Sequence, residues 1–160
     1  MLDFIGNDMK NSCTRAGKAL LIAGALLLSA CDRQEKPEET AEDVAAAKAE
    51  GQEEIADAAR AANESAAENA HDIAEADGAS DRHEAVADAQ EAAGDASYEV
   101  RMEKAEAARE IAKEKCESLP SDRQDACKNA ADADYDKAKT AAQRAEDAAD
   151  LQADKTRNTP

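Results

Sequence analysis

EKCESLPSDRQDACKNAADADYDKAK, residues 114–139, is the stretch on which the fold turns. Leu119-Pro120-Ser121 ends one helical run and begins another: proline lacks the amide that a helix interior needs, and the residue before it is biased away from helix. Ser121 with Gln124 three positions on reads as a capping box at the new start. Cys116 and Cys127 stand eleven positions apart. In one unbroken helix that is about 16 Å, too far for a disulfide whose Cα atoms must lie within ~7 Å. A reversal at Pro120 brings the two sulfurs, each on its own apolar stripe, face to face. The expectation is a disulfide-stapled helical hairpin. A free buried pair, intermolecular disulfides and a redox or metal site are the other states open to two such cysteines, although two thiols without nearby histidines make a poor zinc site.

Outward from the hairpin the helical rhythm continues in both directions. Toward the C-terminus Cys127, Ala131, Tyr135, Ala138, Ala142, Ala145 and Ala149 recur at steps of three and four, which predicts a helix over 121–153 and a frayed tail over 154–160. Toward the N-terminus Tyr98, Met102, Ala105, Ala108, Ala112, Cys116 and Leu119 form a stripe that belongs to a helix over 80–119. Ser80 or Asp81 caps it, with Glu84 completing an acidic box, and Gly94-Asp95 kinks or divides it. Asp77-Gly78 breaks the chain from a first helix over 40–77, capped by Thr40 and striped by Val44, Ala47, Gly51, Ile55, Ala59, Ala62, Ala66, Ala70 and Ile73. The fold class is therefore all-α, either an up-down-up hairpin bundle or a partly extended rod, with partly disordered termini.

Composition explains why helices come more easily than a core. The 42% hydrophobic fraction is overwhelmingly alanine, with no Trp, one Phe and two Tyr. Alanine has the highest helix propensity, and Glu, Lys, Arg and Gln follow closely. Burying a methyl group, however, stabilises by only about 0.8 kcal/mol, while ordering a residue costs about 1–2 kcal/mol. Self-association is one way to supply the missing burial. The formal charge is −17, which argues against nucleic acid and favours solubility and basic partners.

The first thirty residues read as an address. Ala19–Ala30, ALLIAGALLLSA, is shorter than a membrane span and has the size of a secretory signal's apolar region, with Lys10, Arg15 and Lys18 before it. Asp3 and Asp8 fit such a flank poorly, whereas a start at Met9 gives MKNSCTRAGK without an acid, so Met9 is the expected start. Leu28-Ser29-Ala30-Cys31 resembles the lipobox of bacterial lipoproteins. That resemblance implies a signal peptide over 1–30, a diacylglycerol thioether on Cys31 and cleavage just before it. It also implies an anchored protein facing the periplasm. In enterobacterial lipoproteins an acidic second residue, here Asp32, is associated with retention in the inner membrane. Cys13 would be discarded with the signal, leaving Cys116 and Cys127 in an oxidising compartment. The mature chain then carries 17 basic against 35 acidic groups, a net of −18, behind a polar tether over 31–39. The hairpin segment is similar to one in Ala-rich proteobacterial envelope proteins labelled TolA-like, which implies an envelope location and no particular activity.

Catalytic chemistry is not apparent. His71 and His83 lie twelve apart beside Asp72 and Glu84, on faces that read as solvated. No phosphate loop, no H-E-x-x-H and no nucleophile with a base can be found, and no cofactor or metal is expected. The carboxylates read as scattered among lysines and arginines along exposed faces. The expected function is a non-enzymatic helical spacer of the envelope, lipid-anchored and in contact with a partner protein or with itself. It resembles the small murein-type lipoproteins in plan but lacks their terminal lysine. The alternative is a stress protectant similar in composition to late-embryogenesis-abundant proteins.

Overall fold

Three helices account for nearly all of residues 36–159, the part of the chain that the structure, a computed structural model, describes. The expected signal segment with Met9 and Cys13, the lipobox-like Leu28-Ser29-Ala30-Cys31 and most of the expected tether lie outside the described residues. Helix α1 spans Pro37–Glu75, α2 Ala79–Glu117 and α3 Ser121–Arg157.

Local chemistry sets each end. Pro37 occupies the first turn of α1, where its missing amide costs nothing, and Glu38 and Glu39 lie at the positive end of the helix dipole. Thr40, expected as the cap, sits inside that turn instead, and its hydroxyl donates back to the Lys36 carbonyl at 3.3 Å. After Ala76 the chain reverses, and the Arg82 guanidinium donates to the Ala76 carbonyl at 3.4 Å. Gly78, in extended backbone, precedes α2. At the second reversal the Gln124 amide turns backward and donates to the carbonyls of Glu117 and Leu119, at 3.0 Å each. Gln124 thereby satisfies carbonyls that the end of α2 leaves without helical partners.

Like Thr40, the expected caps Ser80 or Asp81 and Ser121 lie inside their helices, behind Gly78 and Pro120, and two further parts of the chain depart from the sequence-based reading. Helix α2 passes through Gly94-Asp95 without dividing, because Gly94 is buried where α3 crosses and its flanks are strong helix formers. The segment from Asp154, expected to fray, stays helical to Arg157, because side chains of α2 hold it down.

The helices run antiparallel in sequence, with α2 packed against both α1 and α3 while α1 and α3 make no contact. The arrangement is thus an open layer, one helix thick and about 58 Å long at ~1.5 Å per residue. Its seams are made of methyl groups. Among the described residues the buried hydrophobic ones are Ala87, Ala105, Ala107, Cys116, Ala131, Ala142 and Ala153, and the largest fully buried side chain is Cys116. Such small contacts let backbones approach closely. A Cβ on Gly94 would lie 2.7 Å from the Ala149 Cβ, and one on Gly51 would overlap the Ala107 Cβ outright.

The α2–α3 seam has a definite period. Gly94, Ala105 and Cys116 on α2 are buried at intervals of eleven, and so are Ala131, Ala142 and Ala153 on α3. Eleven residues at ~100° each make three turns with about 20° left over, so the buried line stays nearly straight along each helix.

Candidate interaction surfaces

Rotation about each helix axis decides which residues share a face of this layer. On α2, Ala107 points toward α1, where it meets Gly51. Counted from Ala107 at ~100° per residue, all eleven carboxylates of α2, from Asp81 to Glu117, fall within an arc of about 140° on one hand. On α1, counted from Gly51 in the same way, ten of the twelve carboxylates fall on that hand too; Glu42 points straight away from α2 and Glu38 falls on the other hand. For antiparallel helices facing each other, equal hands lie on the same side of the layer. On α3, counted from the buried Ala142, eight of the nine carboxylates lie on that side as well, the exception being Asp134. The carboxylates are therefore not scattered, as the sequence-based reading had them. All but Glu38, Glu42 and Asp134 of the helical carboxylates lie on one face.

The acidic face differs between its two halves. Over α1–α2, a groove is lined by Asp43, Glu50 and Glu54 on one wall and Glu103, Glu106 and Glu110 on the other. Partial desolvation, and then the charges of Glu103, Glu50, Glu106 and Glu53, hold the Glu54 carboxyl above the ordinary glutamate range. Over α2–α3 the acids meet cations. Arg109 donates to Asp132 at 2.6 Å and stacks 5.1 Å over the Tyr135 ring, while Lys113 reaches the same carboxylate at 3.1 Å. The Arg109 hydrogen bond first, then that of Lys113, keeps Asp132 below the usual carboxylate range. Lys128 pairs with Glu117, and Arg157 bridges Asp88 at 2.7 Å and Glu91 at 2.6 Å. Thr156 donates to the Gln90 side chain at 2.8 Å.

The opposite face carries most of the helices' free-standing cations, among them Lys48, Arg101, Lys104, Lys115, Arg123 and Lys155, together with Asp134, around two apolar grooves. A groove of 480 Å³ between α1 and α2 is lined by Ala62, Ala66, Ala70 and Ile73 against Ala93 and Val100. A second, of 380 Å³, lies between α2 and α3 along Ala105, Ala108, Ala138 and Ala141. Arg101 and Lys104 border both grooves, standing on the ridge between them.

Cys116 and Cys127 are joined, with Cα atoms 5.7 Å apart, and the bond ties the end of α2 to the first turns of α3. The histidines do not meet. His71 lies 3.4 Å from Glu75 on the exposed side of α1. His83 Nδ1 lies 3.2 Å from the Thr159 carbonyl. Among the described residues no three His, Cys, Asp or Glu side chains gather as metal ligands, and no helix is long and apolar enough to cross a membrane. The sequence-based reading missed the two-faced charge. Its signal was present in α2 as Asp81, Glu84, Asp88, Asp95, Glu99, Glu103, Glu106 and Glu110, which recur at helical steps, but it acquires meaning only once the neighbours of α2 are known. Comparison with protein-family models, with curated proteins and with solved structures returned no match.

Proposed function

We propose that the chain is a lipid-anchored, non-enzymatic lipoprotein of the bacterial cell envelope that acts as a helical spacer and interaction platform. The observation that carries the anchoring is Leu28-Ser29-Ala30-Cys31 directly after an apolar stretch of signal length and a basic flank. The Cys116–Cys127 bond supports a location outside the reducing cytoplasm, where structural disulfides persist. A layer one helix thick and about 58 Å long suits a spacer, since it spans distance with little mass. The acidic face suits basic partners and repels nucleic acid.

Labelling with palmitate tests the reading. The wild-type chain is expected to take up label, and globomycin to make the uncleaved precursor accumulate. Substituting Cys31→Ser should abolish both effects. A Cys31→Ser chain that labels and fractionates like the wild type would rule out the anchor.

A further inference from the structure

We infer that α1 is a hinged flap whose closure against α2 is governed by the ionic strength around the protein, tightening in salt and loosening in dilute solution. Its attachment is one-sided. Helix α1 contacts α2 and no other helix, and joins it only through the reversal Ala76-Asp77-Gly78. It carries twelve carboxylates against two cations, Lys48 and Arg60. Neither cation serves the seam: Lys48 stands on the opposite face, and Arg60 pairs with Asp57 of its own helix. The cations of α2 are turned elsewhere as well. Arg109 and Lys113 are held by Asp132 of α3, and Arg101 and Lys104 stand on the ridge between the apolar grooves. Glu103, Glu106 and Glu110 therefore meet Asp43, Glu50 and Glu54 across the groove with no cation among its lining residues. Desolvation first, and then Glu103, raise the Glu54 carboxyl, as two walls that feel each other's charge require.

Screening decides how far that repulsion reaches. The Debye length is about 30 Å at 0.01 M salt and about 3 Å at 1 M, while packed helices lie roughly 8–10 Å apart. In dilute solution each wall therefore repels the other, and in concentrated salt the contact of Gly51 with Ala107 acts unopposed. Salt acts in the opposite sense on α2–α3, whose ion pairs it weakens, but the Cys116–Cys127 bond keeps α3 in place. Only α1 is free to respond. Its release uncovers Val100, Ala107 and Ile111 on α2 and Val44, Ile55 and Ile73 on α1, all within about 40° of the seam. The apolar surface offered to a partner thus grows as the surroundings become more dilute.

Hydrogen exchange of the full chain in non-ionic detergent, followed by mass spectrometry at constant pH, tests the flap. From about 0.01 M to about 1 M sodium chloride the amides of 41–75 are expected to slow roughly fivefold, the sum of several like-charge contacts relieved together, and those of 121–157 to slow less. Helix α1 also repels itself along its own length, so the decisive variant lies on the other wall. It is Glu103→Gln with Glu106→Gln and Glu110→Gln, glutamine being nearly as good a helix former as glutamate. In that chain α1 is expected to exchange slowly in dilute solution already and to lose most of its response to salt. Should the triple variant lose helicity by circular dichroism, the double variant Glu103→Gln with Glu106→Gln takes its place. Protection of α1 that ignores salt, or falls as salt is added, overturns the proposal, as does a wall variant whose α1 responds to salt like the wild type.

Discussion

The seam between α2 and α3 and the seam between α1 and α2 use the same material, alanine and glycine, and differ in what surrounds it. Around α2–α3 stand the disulfide, the Arg109–Asp132–Lys113 cluster, the Lys128–Glu117 pair and the Arg157 bridge to Asp88 and Glu91. Above α1–α2, acid faces acid. Methyl-thin contacts therefore do not settle on their own how firmly a helix is held; the polar margin does. Helix α1 should open first, and its amides should exchange with solvent faster than those of α2 and α3.

The largest test removes the staple. Closing a loop of about twelve residues is worth ~3 kcal/mol by chain entropy, so Cys116→Ser with Cys127→Ser should lower stability by about that much and bring α3 exchange toward that of α1. Thermal unfolding with and without reductant checks it; an unchanged transition would place the difference between the seams elsewhere. Next in size is Gly51→Ala. It adds about 1 kcal/mol of helix propensity but drives a methyl into Ala107, and overpacking of that kind costs about 1–3 kcal/mol, so a net loss of about 1 kcal/mol is expected. The swap Gly51→Ala with Ala107→Gly should recover it, and failure to recover would mean that the close approach is not what matters. Smaller again is Arg157→Ala, expected to fray 154–159, seen as accelerated exchange confined to that end with little change in the main unfolding transition.

The smallest effect is that of pH, and the raised and lowered carboxylates respond in opposite directions. Glu54 and Glu146 have raised folded values, Glu146 through desolvation first and then Asp95, Asp150 and Asp147. Each is better tolerated protonated, so each adds stability as pH falls through its raised value toward 4.5, and loses that contribution as pH rises. Asp132 has a lowered value, so its contribution is present above 3.8 and is lost as pH falls through the lowered range. The melting temperature should rise on mild acidification and fall on stronger acidification. Glu54→Gln should flatten the rise, and a melting temperature that falls steadily from neutrality would contradict the assignment.

The all-α class was legible because alanine, glutamate and lysine leave the backbone little else to do, and because Asp77-Gly78 and Leu119-Pro120-Ser121 punctuate the run. The hairpin at Pro120 could be argued from helix rise alone. What escaped was relational. Gly94 reads as a breaker until α3 is known to need its missing side chain, and Thr156-Arg157 read as a loose end until Gln90, Asp88 and Glu91 are known to stand opposite. The segregation of charge escaped for the same reason, since a face exists only when a helix has neighbours on both sides. The resemblance of Leu28-Ser29-Ala30-Cys31 to a lipobox is a proposal that the chemistry of Cys31, not the packing of the helices, will test.

The eleven-residue interval of the buried positions has a consequence for how such a protein can change its reach. A helix lengthened by eleven residues keeps its inner edge turned inward, displaced by only about 20°, and moves its end about 16 Å further out. Matched additions or deletions of that size in all three helices would alter the span while leaving contacts elsewhere in place, much as a ladder gains rungs. Extent along the helix axis is thereby a quantity that mutation can adjust in steps, independent of the chemistry displayed on either side.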